Sequence, residues 1–330
     1  MNNCKFHRRF GAETELNTTT GKIQDKNIIP DGSDLVGSLI RKVCRDNITL
    51  QGWQHINNNK GWVIKPDSTC GIEVNTPILK GGYDLLKLCK VTEEFKNHPK
   101  ITADERCSFH VHVNYQDLTA NQIGTILAWW VKCEGVLFDS IPAKRKIHRH
   151  TQLIGMSDAV YLTQRVTPES LIDVLSDVKY HSANVYHMRQ KRRQSIEFRI
   201  AGNDHCLNPL YIKCWIRFLL HLSKRALKKG FPKNYKFGDP WTGLSWLNVK
   251  EVFDFLEFND DSNLSLGMQQ VKYWFIDRLK TNVNDANIGI WNNKLRKESD
   301  KQIREISKLH PNPFKNVSEN TLLYSKDYLI

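Results

Sequence analysis

The sequence predicts an α+β fold in which an antiparallel sheet rests on helices and a helical region follows. Two observations carry that prediction. Four short segments alternate apolar and polar residues with a period of two, the pattern of strands with one buried face. Longer stretches between and after them repeat their apolar residues at helical spacing, and from Asn208 onward such stretches dominate. An antiparallel sheet with one face on a helical layer would bury the apolar sides together.

In chain order, RRFGAETELNT (8–18) reads as a strand. Phe10, Ala12, Thr14 and Leu16 share one face, and Gly11, Glu13 and Glu15 the other. SDLVGSLIRKVCRDNITL (33–50) has helical spacing, with Ser33 as N-cap. Residues 61–77 read as two short strands joined by a turn at Pro66, Asp67 and Ser68. Gly81 and Gly82 break the chain before a helix near 83–97. CSFHVHVNY (107–115) is the next strand, with His110, His112 and Asn114 opposite Phe109, Val111, Val113 and Tyr115. A helix over 118–138 starts near Thr119 or Asn121, and another near 167–178 opens on Thr167-Pro168-Glu169. QSIEFRIAG (194–202) is a strand with Ile196, Phe198 and Ile200 on one face and Glu197 and Arg199 on the other. Helices follow over 209–229 and near 248–258, 264–280 and 298–310. The aromatic stretches PWTGLSW (240–246) and VKYWF (271–275) read as core between helices. No clean linker is visible. The expected division is a catalytic domain over 1–230 and a helical extension over 231–330.

Composition bounds the function. The chain has 330 residues, 40% of them hydrophobic, enough for a large core. It holds no run of 18 apolar residues, so no membrane span is expected. No apolar segment follows the basic residues of MNNCKFHRRF, so the expected location is cytoplasmic. The eight cysteines are scattered without a C-x-x-C pair and read as free buried thiols rather than a zinc knuckle. The net charge is +13, with clusters at 143–150, 189–194 and 224–236. Such charge suits nucleic acid, nucleotide phosphates or an acidic substrate. Solvated helix faces explain it equally well, above all in the last cluster.

Four predicted strands place chemistry on their polar faces: Glu13 and Glu15, Glu73 and Asn75, His110 and His112, Glu197 and Arg199. Each pair alone is the wet side of a strand as often as a site. H-x-H also occurs in zinc and cupin-like sites, and Cys107 could join His110 and His112 on zinc, although no fourth ligand stands nearby. Together the four pairs point further. Carboxylates held close repel one another, and some must take protons unless a cation intervenes. Magnesium and manganese prefer carboxylate oxygen and tolerate an imidazole.

These segments resemble the amidoligase family of the glutamine synthetase-like carboxylate–amine ligase superfamily. FGAETEL is similar to its "FGxExE" opening, and GWVIKPDSTCGIEVNTPILKGG to its "W-x-x-x-x-D-x-S…g-x-E-x-x-[ST]-P-x-L" segment. CSFHVHVNYQDLT resembles "CGxHVHv", and QSIEFRIAG resembles "xxEFRxxxG"; the likeness covers roughly residues 8–225. It implies a curved antiparallel sheet, like the glutamine synthetase catalytic domain, with magnesium (or manganese) and ATP inside a funnel. Glu13 and Glu15 would hold two metals between them. Glu73 would join Glu15, and His110 and Glu197 would join Glu13. His112 would sit near an ATP phosphate, and Arg199 would meet the transferred phosphate or the substrate carboxylate. Asp67 matches a position without an assigned role. Two departures stand out. Ser108 replaces the usual glycine, and Ser195 stands where glutamine synthetase carries an arginine, leaving Arg192 or Arg193 to bind phosphate.

The implied activity is an ATP- and magnesium-dependent ligase joining a small-molecule or peptide carboxylate to an amine. Two other classes stay open: a metal-dependent hydrolase or nuclease using the same acids, and a nucleic-acid-binding protein on a degenerate ligase fold. ATP dependence separates the first from a ligase, and a steep loss of nucleic-acid affinity with salt would mark the second.

Overall fold

The computed structural model describes residues 8–18, 32–52, 60–146, 151–154, 167–176, 179–189, 194–232, 246–283 and 293–328. In chain order the elements are β1 (Arg9–Thr18), α1 (Ser33–Val43), β2 (Ile48–Leu50), β3 (Trp62–Asp67), β4 (Gly71–Asn75), β5 (Leu79–Lys80), α2 (Gly81–Lys96), β6 (Ile101–Thr102) and β7 (Phe109–Asn114). There follow α3 (Ala120–Asp139), α4 (Ala143–Lys146), α5 (Pro168–Leu175), β8 (Ala183–Asn184), α6 (Tyr186–Arg189) and β9 (Ser195–Phe198). The last are α7 (Asn203–Cys206), α8 (Pro209–Lys229), α9 (Val249–Leu256), α10 (Leu266–Asn282), α11 (Asn293–Leu309) and α12 (Glu319–Tyr324). The predicted α+β class is the observed one: strands pair mostly antiparallel and the C-terminal region is helical. The chain forms two compact units. One comprises Met1–Val113, Ala201–Cys214 and Glu319–Ile330, the other Asn114–Ile200 and Trp215–Ser318.

In the first unit the strand order is β2-β3-β4-β1-β7, with the short β5 and β6 also on β1. All pairs are antiparallel except β2 with β3. Directly opposed residues share a face, so register decides what meets. The apolar face is built in rows. Thr14 lies between Val74 and Phe109, Ala12 opposes Val111, Phe10 opposes Val113, and Leu16 opposes Ile72. Helix α1 packs close to this face: a Cβ on Gly37 would touch Ile64 Cδ1 at 3.7 Å and Ile48 Cγ2 at 3.8 Å. Helix α2 buries Leu85, Leu88, Cys89, Val91 and Phe95. The C-terminal helix α12 is tied into the same unit. Lys213, fully buried, donates through Nζ to the carbonyls of Leu322 (2.5 Å) and Leu323 (3.1 Å).

Four local expectations fail for identifiable reasons. The helix expected over 33–50 stops at Val43, because Cys44 is extended and Ile48–Leu50 pairs parallel with β3. The Asp46 carboxylate fastens that crossing by accepting from Trp62 Nε1 at 3.1 Å and Lys87 Nζ at 3.2 Å. The residue capping α1 is Gly32 at φ 86°, and Ser33 is the buried first helical residue. Pro66 belongs to β3, and the turn lies at 68–70, where the Asp67 carboxylate accepts from the backbone N–H of Thr69 (2.7 Å) and Cys70 (3.1 Å). Gly81 and Gly82, expected as a break before helix 83–97, are the first residues of α2.

In the second unit α3 begins at the expected place, with Thr119 and Gln122 forming a capping box. Thr167 caps α5 in the same way. Glu134 on α3 is fully buried and accepts from the Ile154 N–H (3.0 Å) and the Ser182 hydroxyl, which also accepts from Trp130 Nε1 at 2.8 Å. Strand β8 pairs antiparallel with β9. The VKYWF stretch fills a core as expected: Trp274 and Phe275 meet Phe218, with Phe218 and Phe275 4.9 Å apart. Of 240–246 only Trp246 lies within the described residues. Several cations of the basic clusters are internal ties. Arg145 Nη2 donates to the Arg199 carbonyl (2.6 Å), Lys146 Nζ to the Asn282 carbonyl (3.2 Å), and Arg225 pairs with Glu257 (2.5 Å). Among the described residues no helix is long and apolar enough to cross a membrane.

Replacing Phe109 tests the apolar sheet face. Phe109 is fully buried opposite Thr14 and stacks on His205 at 6.4 Å. Phe109→Ala should cost about 3–5 kcal/mol in urea unfolding. Tyr83→Ala, at a side chain 80% exposed, should cost under about 0.5 kcal/mol. Similar losses at the two positions would contradict this packing.

Candidate active site

The register that builds the apolar face also builds the polar one. Glu13 lies between Asn75 on β4 and His110 on β7, while Gly11 opposes His112. The next row sets Glu15 opposite Glu73, and Glu73 opposite Lys65 on β3. Five of the expected residues, Glu13, Glu15, Glu73, His110 and His112, therefore stand on one face of one sheet. Each arrives by the period-two alternation of its strand.

Glu13 is the meeting point. Its carboxylate pairs with His112 Nε2 at 3.0 Å and with His110 Nδ1 at 3.4 Å. Burial pushes its pKa up, but the charge of His112 and hydrogen bonds from both histidines, aided by Lys65, hold it well below the usual carboxylate range. Glu73 goes the other way, up to about 7, driven by burial and then by the negative charge of Glu13. Lys65 opposes this with an ion pair at 2.8 Å. Burial pulls the Lys65 ammonium down, yet the charges of Glu73 and Glu13 leave its pKa raised. Glu15, Glu73 and His110 are all buried. Like charges opposed across a strand pair repel, so the Glu15–Glu73 pair favours a cation between or beside them. Carboxylate oxygens with an imidazole are a donor set that suits magnesium or manganese.

Asp67 stands at the end of the same face, where burial opposes but hydrogen bonds from Thr69 and Cys70 win and lower its pKa. Lys65 was not singled out from the sequence, although alternation in WVIKPD places Val63, Lys65 and Asp67 together.

The second unit holds Glu197 and Arg199, both buried. Glu197 lies on β9, Arg199 immediately follows that strand, and the two form an ion pair through Arg199 Nη1. Glu197 also accepts from Asn184 Nδ2 at 2.6 Å, its cross-strand partner on β8. The Arg199 N–H donates to the Ser182 carbonyl at 2.9 Å. Asn184 had no sequence signal, since β8 is two residues long. Arg192 and Arg193 lie outside the described residues.

The raised pKa of Glu73 has a signed consequence. The folded state holds a proton there that the unfolded chain has lost above about pH 4.5, so this group favours folding at low pH, and that contribution fades as pH rises toward about 7. Glu13, with its pKa depressed, is ionised in both states over that window and adds no slope. In chelator-treated protein, stability from urea unfolding should fall between pH 5 and pH 7 by on the order of 1–3 kcal/mol more in the parent than in Glu73→Gln. Parallel pH curves for the two would contradict the assignment.

Residues 8–207 match the family described as "Putative amidoligase enzyme". No curated protein sequence matches the chain. Among solved structures, a glutamate–cysteine ligase from Francisella tularensis in complex with AMP aligns with TM-score 0.42 and 10% identity, over 93% of this chain and 84% of that one. A bifunctional glutathione synthetase from Pasteurella multocida aligns with TM-score 0.38 and 13% identity, over 92% of this chain and 48% of that one. A novel glutamine synthase homolog aligns with TM-score 0.40 and 10% identity, over 93% and 71%. The matched span 8–207 runs through every site residue named above, and the chain belongs to the amidoligase family.

Proposed function

We propose that this chain is an ATP- and magnesium-dependent ligase that joins a carboxylate to an amine through an acyl-phosphate intermediate. One observation carries the reading: a single sheet face gathers Glu13, Glu15 and Glu73 with His110 and His112, and Glu13 pairs with both imidazoles. Family membership supports the reaction class.

In this reading Glu15 and Glu73 would hold one divalent cation, Glu13 with His110 would hold another, and Glu197 is a further metal-binding carboxylate. Magnesium bound there supplies the positive charge that a triphosphate needs in order to approach so many carboxylates. Glu73 must give up its proton to serve, and the cation takes over the compensation that Lys65 provides in its absence. His112 orients a phosphate of ATP. Arg199, with Arg193 as a further cation, meets the transferred phosphoryl group or the substrate carboxylate.

The chemistry explains why charge placement dominates. A free carboxylate is a poor acyl donor because oxide would have to leave. Its oxygen attacks the terminal phosphorus of ATP and ADP departs. The amine nitrogen then attacks the acyl carbon, phosphate leaves, and the nitrogen loses a proton. Both steps depend on fixed positive charge beside migrating phosphate.

Purified protein given the matching acid and amine should release phosphate from ATP only when magnesium or manganese is present. Glu13→Ala and Glu197→Ala should each lower the rate by about 10²–10³-fold or more, the cost of one lost electrostatic contact at about 3–4 kcal/mol. Turnover retained in both variants, or cleavage of a substrate without ATP, would overturn the proposal.

A further inference from the structure

Lys65 on β3 sets an ammonium inside the acidic sheet face. It stands directly opposite Glu73 on β4, and Glu73 stands opposite Glu15 on β1. The ammonium pairs with Glu73 Oε1 at 2.8 Å, and the two side chains are only 18% and 12% exposed, so water screens the pair weakly. Among the described residues Glu73 is the only carboxylate within ion-pair distance of Lys65. The other acid of the same strand and face, Asp67, commits its carboxylate to the Thr69 and Cys70 N–H groups at 2.7 and 3.1 Å. Toward the other end of the strand that face carries Val63, buried and apolar.

This lysine and a divalent cation compete for the same oxygens. The inference rests on the two-cation reading above, in which Glu73 and Glu15 are ligands of one ion. An ammonium 2.8 Å from Glu73 and a doubly charged ion on that carboxylate repel strongly in a site largely closed to water. One of them must move, and the lysine is the one that can, because its charge sits on a flexible four-carbon stem. A displaced ammonium that stays mostly buried needs another anion, since unpaired buried charge is costly. Asp67 is engaged by its turn, and Val63 has no charge to offer. The negative charge that enters with the metal is the triphosphate.

We propose that Lys65 is an exchangeable cation of this site. It neutralises Glu73 while no divalent ion is bound, yields that carboxylate when the ion arrives, and then turns its ammonium to a phosphate oxygen of the nucleotide. Lys65 keeps its charge throughout, and no covalent bond forms or breaks in the exchange. It is thereby a nucleotide-contacting residue supplied by β3, additional to His112 and Arg199. The exchange also couples the two ligands: Lys65 is released to meet phosphate only when metal has taken Glu73.

Amine labelling of the full-length chain with an acetylating reagent, read peptide by peptide in a mass spectrometer, tests this. Lys65 should be protected in chelator-treated protein, reactive with saturating manganese(II), and protected again when the non-hydrolysable analogue β,γ-imido-ATP is added. Lys42, whose side chain is 65% exposed, should react in all three states. Lys65→Met should weaken binding of the analogue at saturating manganese by about 10–100-fold, the loss of one hydrogen bond between charged groups. Lys65→Arg should recover part of that loss. Labelling is done on the parent, so it decides the matter even if a variant fails to fold. Lys65 labelling that does not rise with bound manganese, labelling that stays high with the analogue, or analogue affinity unchanged in folded Lys65→Met would each overturn the proposal. Electron paramagnetic resonance of free manganese reports occupancy separately. Manganese that binds without exposing Lys65 sinks the exchange and leaves the two-cation reading standing, whereas no bound manganese sinks both.

Discussion

The structure turns on one electrostatic constraint: β-sheet register forces Glu13, Glu15 and Glu73 onto a single face, where they repel. Three half-buried or buried carboxylates cannot all stay ionised without compensation. The chain supplies some of its own. Lys65 pairs with Glu73, and His110 and His112 pair with Glu13. The compensation is uneven: Glu13 is held ionised well below the usual range while Glu73 is pushed toward neutrality. A sheet built only for stability would gain by replacing one of these acids, since like charges across strands cost free energy. Keeping all three makes sense when a cation is part of the working state.

The rest of the first unit holds that face still. Thr14 between Val74 and Phe109, and Ala12 against Val111, fix the same register from the apolar side. A one-residue slip of β1 would send both glutamates into the helical layer. Helices α1 and α2 lie on the apolar side, so the strands are positioned by packing and the acids by the strands. In the second unit Glu197 and Arg199 follow the same rule, held by the β8–β9 pair and by Arg145 on the Arg199 carbonyl. Part of the basic composition is thus spent inside the protein, on Arg145, Lys146, Lys213 and Arg225, which weakens any argument from net charge to a polyanionic partner.

Much of this was legible in the sequence where one physical period operated alone. The alternation in FGAETEL, CSFHVHVNY and IEFR placed each polar pair on its strand, and capping residues Thr119 and Thr167 marked the true helix starts. Legibility failed where tertiary pairing overrode local pattern. Ile48–Leu50 continues a helical spacing yet joins β3, because its β-branched residues gain a strand partner. Ser33 has the chemistry of a cap but is buried inside the first turn, with Gly32 supplying the left-handed bend. Lys65 and Asn184 were invisible because their importance comes from the residue across the strand, Glu73 and Glu197, and a single sequence carries no register.

The central claim is that the Glu13 face grips a divalent cation through carboxylates and an imidazole. Manganese(II) bound to the purified chain, read by pulsed electron paramagnetic resonance for coupling to a ligand nitrogen, tests it most directly. The account predicts a nitrogen coupling from one histidine that vanishes in His110→Ala while the carboxylates still hold the ion more weakly. Failure to bind manganese, or a nitrogen coupling unchanged in that variant, would contradict it.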